Sequence, residues 1–324
     1  MTRRAWLAIA GFGVLLALAG GWRLVVGGEG LGFPESGVVW ELRGVRLAAG
    51  VGVGAALAVA GVCLQSLLRN PLASPDLMGL AAGAGFCVTL VAYLGLGAAT
   101  DTGSVLWSSH GPAALAGSIG ALVLVWWLGQ RDWLIDPVAM VLVGVVVSVV
   151  LGAATVFVQQ LMPDRGEGVR RWAMGLLSDE LSWLDVGLLG AIVLAGAGVA
   201  FAMGPAMDAS SLSEDEARSV GVRVGRLRLV MFVVAGGLTA ASVVVAGPIG
   251  FVGLVCPHAA RMVGGPGHRG LVVSAGLAGA ALVVASDALV KSFTLGGGRM
   301  PIGVVTAAIG GPAFVLLLRR MRRG

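Results

Sequence analysis

The chain reads as long apolar runs separated by short polar breaks, and most runs approach the roughly 20 residues needed to cross about 30 Å of hydrocarbon. The pattern predicts spans at residues 5–26, 46–68, 77–98, 111–129, 138–160, 184–205, 229–246, 249–264, 271–290 and 302–318. The stretch from Leu229 to Ala260 is too long for one crossing, so Gly247-Pro248-Ile249-Gly250 is read as a break between two helices. Arg3 and Arg4 before the first run imitate a secretory signal. No small-residue cleavage site followed by a soluble domain appears, so a retained first helix is expected. The predicted fold is all-α: a polytopic membrane protein of about ten transmembrane helices, forming one domain over residues 1–324.

Composition strengthens this reading. Hydrophobic residues make up 57% and charged residues 12%, against about 25% charged in soluble domains. Too few charges remain to build a water-facing surface, which excludes a soluble enzyme. Fifty-four glycines fit closely packed membrane helices. The net charge of +5 is explained by basic loop residues, so no nucleic-acid partner is expected. An even number of spans with the N-terminus inside gathers most arginines on the cytoplasmic side, including Arg223, Arg226, Arg228, Arg319, Arg320, Arg322 and Arg323. Both termini are therefore expected in the cytoplasm, with the chain in the cytoplasmic (inner) membrane.

Candidate chemistry is sparse. The runs around 51–68, 138–158, 186–207 and 271–286 carry no ionisable residue, whereas proton- or ion-coupled carriers place such groups at membrane depth. An ion-gradient-driven secondary transporter or channel for a small apolar solute is the alternative, and it would need a titratable mid-span residue. No G-x-x-x-x-G-K-[ST] loop occurs, so any ATPase is a separate subunit and this chain is no enzyme. Cys63, Cys87 and Cys256 lie in apolar runs as packing residues. Cys256 and His258 lack a third ligand, so no metal site and no catalytic residue is assigned. No cofactor is expected on this chain, with ATP and Mg on the partner ATPase.

Three segments carry information. Between about 206 and 228, Ser213-Glu214-Asp215-Glu216 fits an N-capping box, with Ser213 as cap and Glu216 at N3. Ala217 and Arg218 follow, and Gly221 offers a left-handed stop, giving a short self-capped helix. A helix this short needs a docking surface. In the second segment Arg43 and Arg46 stand at the outer end of the second span, and Asn70-Pro71-Leu72-Ala73 forms a tight turn. The third segment reads AGPIGFVGLVCPHAAR from Ala246 to Arg261.

Together these stretches, with Arg69-Asn70-Pro71-Leu72-Ala73, Glu216-Ala217-Arg218, Gly247-Pro248-Ile249-Gly250-Phe251 and Pro301-Ile302-Gly303-Val304-Val305-Thr306, resemble the iron-chelate, haem and cobalamin permease family of ABC importers. The resemblance covers nearly the whole chain. It implies a cobalamin-permease-like homodimer in membrane lipid, two cytoplasmic ATPase subunits, a substrate-binding protein on the outer side, and import of a metal chelate by alternating access. Ferric siderophore is the first expectation for the cargo, with haem and cobalamin next. By position, Ser213, Glu214, Glu216, Ala217, Arg218 and Gly221 match the ATPase-coupling helix. Arg43, Arg46 and Lys291 match the cations that dock the binding protein, and Asn70 and Leu72 match the cytoplasmic gate. Two departures bear on docking: Gly44-Val45 lacks the usual proline, and Arg299 stands where an acidic residue is common.

Overall fold

The structure is a computed structural model describing residues 1–27, 30–33, 36–96, 110–131, 134–162, 174–177, 180–292 and 300–321. Arg299 lies outside them. Twelve α-helices are present among the described residues: α1 (Arg3–Val25), α2 (Gly37–Leu67), α3 (Leu80–Tyr93), α4 (His110–Gly129), α5 (Pro137–Gln160), α6 (Trp183–Ala202), α7 (Gly204–Leu212), α8 (Glu214–Ser219), α9 (Val224–Ala246), α10 (Val252–Gly264), α11 (His268–Ser292) and α12 (Ile302–Met321). Ten of them, all but α7 and α8, fall on the ten predicted spans. Seven are long and apolar enough to cross a bilayer by length and composition. Two short antiparallel ladders, pairing Val26 with Leu31 and Gln130 with Ile135, close the connections after α1 and α4.

The helices form an inner set and an outer set. Within their span windows α2, α9 and α11 are 72%, 72% and 78% buried, whereas α1, α5 and α6 are 22%, 17% and 22% buried. The outer helices present large apolar side chains such as Leu18, Val138, Leu142, Val149 and Leu194, as lipid-facing helices must. The inner helices α2 and α11 approach closely where glycine removes the side chain from their contact. A Cβ on Gly54 would lie 2.2 Å from the Gly279 carbonyl oxygen, and one on Gly279 would lie 2.2 Å from that of Gly54. Gly83 and Gly117 make the same mutual contact between α3 and α4.

The predicted break at 247–250 is present. Gly247 ends α9 with φ of 67° and ψ of −170°, and α10 begins at Val252. Pro257 lies inside α10 and cannot donate to the carbonyl four residues back. That carbonyl, Gly253, accepts instead from the Gln65 amide Nε2 at 3.4 Å. Two boundaries differ from expectation. The third span is shorter, because a 3₁₀ turn over Pro75–Met78 and left-handed Gly79 (φ 74°) precede α3. α2 begins at Gly37 rather than 46, because the Ser36 hydroxyl accepts from the Val39 N–H at 3.4 Å. Arg43 and Arg46, expected at the outer end of the span, therefore sit inside the helix.

Candidate functional site

The bundle has two polar ends. At one end lie the 206–228 segment and the Asn70 turn. Ser213 Oγ accepts from the Glu216 N–H at 3.0 Å, as a cap does. The box closes through side chains: the Ser213 hydroxyl donates to Glu216 Oε2 at 2.9 Å. Gly221 takes φ of 83°, and the Val222 N–H bonds the Ala217 carbonyl at 2.9 Å, which is the Schellman stop. Ala217 is fully buried and is the residue that seats the helix. Arg228, in the first turns of α9, holds Glu214 directly, and Arg218 reaches the same carboxylate at 3.3 Å. Arg228 gave no local signal in the sequence, because it lies 14 residues from Glu214.

The turn beside this segment is built on strain and hydrogen bonds. Arg69 adopts φ of 47°, and the Asn70 N–H reaches the Gln65 carbonyl at 3.1 Å, ending α2. Asn70 Oδ1 accepts from the Leu72 N–H at 2.9 Å, and the Asn70 carbonyl accepts from the Ala73 N–H at 3.1 Å. Proline at the second position pre-sets this turn. Leu72 is 40% exposed at its tip. Behind the turn Asp76 accepts from the Ser74 hydroxyl at 3.0 Å. Burial among protein atoms pushes its carboxyl above the ordinary value, opposed by the Ser74 and Phe251 hydrogen bonds. A narrow crevice, lined by Ser66, Arg69, Met207, Ser210 and Arg228, separates the turn from the segment.

At the opposite end Arg23 of α1 and Arg46 of α2 converge on Asp287 of α11. Arg23 Nε donates to Asp287 Oδ2 at 2.5 Å, and Arg46 binds both carboxylate oxygens through contacts of 2.8 and 3.1 Å. All three side chains are 2–4% exposed. Arg46, predicted as an external docking cation, is thus turned inward. Arg43 donates to the Leu24 carbonyl and, at 3.0 Å, to that of Gly32. Lys291 stands one turn beyond Asp287, half-buried. Asp287 was missed because its partners lie 241 and 264 residues away. The available signal was an acid in the last turn of an otherwise uncharged span.

Among the described residues the three cysteines are free, and no cluster of His, Cys, Asp and Glu could hold a metal. Asp136, at the turn after α4, serves as N-cap of α5, accepting from Val138 and Ala139 at 2.9 and 3.2 Å.

A close-packed bundle with seven helices long and apolar enough to cross a bilayer defines a polytopic membrane protein. The FecCD transport family matches residues 6–320, and the chain belongs to that family. It is 36% identical over 89% of its length to the cobalamin import system permease protein BtuC of Halobacterium salinarum, covering 75% of that protein. It is 34% identical over 90% to the Fe(3+)-citrate import system permease protein YfmD of Bacillus subtilis, covering 84%. It is 33% identical over 98% to the ferric enterobactin permease FepD of Escherichia coli, covering 96%. A solved inward-facing conformation of a protein assigned as a metal-chelate type ABC transporter superposes with a TM-score of 0.82 at 27% identity, covering 97% of this chain and 99% of that one. The chain is accordingly a multi-pass inner-membrane permease subunit of ABC importers, which work with ATPase and binding-protein partners. It is not an enzyme, and the ATPase is a separate subunit.

Proposed function

We propose that the chain forms, as a homodimer of single-domain subunits with cytoplasmic termini, the pathway of an importer for a metal chelate, with a ferric siderophore as first candidate and haem or cobalamin next. The observation that carries the reading is the self-capped helix at 213–221, fastened to α9 by Arg228. A six-residue helix is marginal alone, and here it is rigidified and offered at the surface. Two ATPase subunits bind it, and their closure moves it together with the Asn70–Leu72 gate. Arg43 and Lys291 face a binding protein at the far end, with Arg46 beneath them as a brace. Relatives named for iron citrate, enterobactin and cobalamin support the cargo class.

The buried Asp287 does not favour an ion-gradient carrier, because two guanidinium groups already occupy its carboxylate. In proteoliposomes containing this chain, its ATPase and its binding protein, uptake of ferric siderophore requires ATP hydrolysis. Uptake that persists without nucleotide and follows a proton gradient overturns the proposal. Quenching of the binding protein's fluorescence by each chelate identifies the cargo.

A further inference from the structure

Ser66, His268 and Asp208 come from three different helices and form one hydrogen-bonded chain. His268 Nε2 lies 2.7 Å from Ser66 Oγ, and His268 Nδ1 lies 2.6 Å from Asp208 Oδ1. With a neutral ring and an ionised carboxylate, Nδ1–H donates to Asp208 and the Ser66 hydroxyl donates to Nε2. The His268 side chain is 3% exposed, and with both nitrogens bonded the ring is held in one orientation.

The constellation has the residue types of a nucleophilic triad, but not the surroundings of one. Ser66 lies in the last turn of α2, and the N–H groups that follow it are consumed. Leu68 bonds the Leu64 carbonyl at 2.9 Å, Arg69 that of Ser66 at 3.4 Å, and Asn70 that of Gln65 at 3.1 Å. No backbone donor after Ser66 remains to hold an oxyanion. The arrangement is mechanical.

Asp208 lies on α7, within the 206–228 segment. Besides the ring, it accepts from the backbone N–H of His268 at 3.0 Å. His268 is the first residue of α11, so Asp208 caps that helix from another helix and places a carboxylate at its positive end. The start of α7 presses on the same point. A Cβ on Gly204 would meet the Arg269 side chain at 2.7 Å, and the Arg269 guanidinium lies 5.3 Å from the Phe201 ring centroid. On the other side Ser66 is followed within three residues by strained Arg69 and then by the Asn70 turn. α2 and α11 are backbone-packed at Gly54 and Gly279 and locked at the far end by Arg46 and Asp287. At 1.5 Å per residue the two polar ties along this pair stand about 30 Å apart.

We propose that Asp208, His268 and Ser66 are positioning residues forming a relay, which carries displacement of the 206–228 segment into the α2–α11 pair and from there to the turn at Asn70–Leu72. The relay rests on the reading of that segment as the motor contact and of that turn as the gate. The test uses the complete permease–ATPase complex, with Cys63, Cys87 and Cys256 replaced by alanine and Leu72→Cys as the only thiol on the permease. The rate of maleimide labelling at position 72 is measured with and without ATP.

With the relay intact, ATP changes the rate by about fivefold or more. Ser66→Ala or Asp208→Asn reduces the change to within about twofold, the double variant is no worse than either single one, and Ser66→Thr retains the response. A full response in Ser66→Ala, or losses that accumulate independently in the double variant, overturns the relay and leaves the importer reading standing. If Asp208→Asn does not assemble, Ser66→Ala decides alone, since it removes only the hydroxyl oxygen and keeps the Cβ. If ATP leaves position 72 unchanged even with the relay intact, the gate and motor-contact assignments fail and the relay falls with them.

Discussion

Replacing Asp287 with asparagine leaves Arg23 and Arg46 facing each other without their shared carboxylate. The bonds lost are charge-assisted, 2.5–3.1 Å long, and made by side chains 2–4% exposed. Solvent cannot screen the change at that depth. Removing one partner of such a buried set costs about 3–5 kcal/mol, because the remaining charges are uncompensated. At roughly 2 °C per kcal/mol for a chain of this size, the melting midpoint falls by about 6–10 °C. Unfolding in detergent is followed with a thiol-reactive dye, which reaches Cys63 and Cys256 only when the bundle opens, since both are buried. The triple replacement Arg23→Met, Arg46→Met and Asp287→Leu removes the charges together and restores most of the midpoint, because an apolar substitute for a whole buried ion set is close to neutral. A midpoint for Asp287→Asn within about 2 °C of the parent chain would show that the carboxylate does not hold the two guanidinium groups together. A triple variant less stable than the single one would show that uncompensated charge is not the cost.

Further outcomes follow from the same geometry. Gly61→Ala drives a Cβ to 1.9 Å from the Gly253 oxygen and separates α2 from α10, lowering stability by about 1–3 kcal/mol or more in the same dye assay. Ser213→Ala removes the cap of α8 at a cost of about 1 kcal/mol, seen as weaker co-purification with the ATPase. Asp76 supplies a pH dependence. Its carboxyl is raised in the folded chain, so the folded state binds this proton more readily than the unfolded one. Its stabilising contribution is full below the ordinary value of 3.8 and is lost as pH rises through the raised value. Acidification towards that ordinary value therefore stabilises the parent chain relative to Asp76→Asn, as read from midpoints of the two across pH.

The ten helices that fall on the predicted spans were legible because membrane crossing demands apolar length, and length survives without knowledge of neighbours. The 247–250 break and the 213–221 helix were legible because glycine conformation and capping are local. Boundaries set by single caps were not. Ser36 extends α2 through Glu41 and Arg43, residues that an apolar count rejects. The polar ties were invisible for a different reason. Arg46–Asp287 and Ser66–His268 join positions 241 and 202 apart, and no periodicity encodes a contact between helices that meet only after packing. His268 in particular reads as a loop histidine until Asp208 arrives to cap its helix.

In the proposed mechanism the bundle borrows its engine through the capped helix on its 206–228 side. The most direct test replaces Glu216 and Arg218 together by alanine, then measures both ATPase co-purification and ATP-driven chelate uptake in proteoliposomes. Loss of attachment and of uptake, with the melting midpoint preserved, is the predicted result. Undiminished attachment and uptake would show that the motor does not engage this helix.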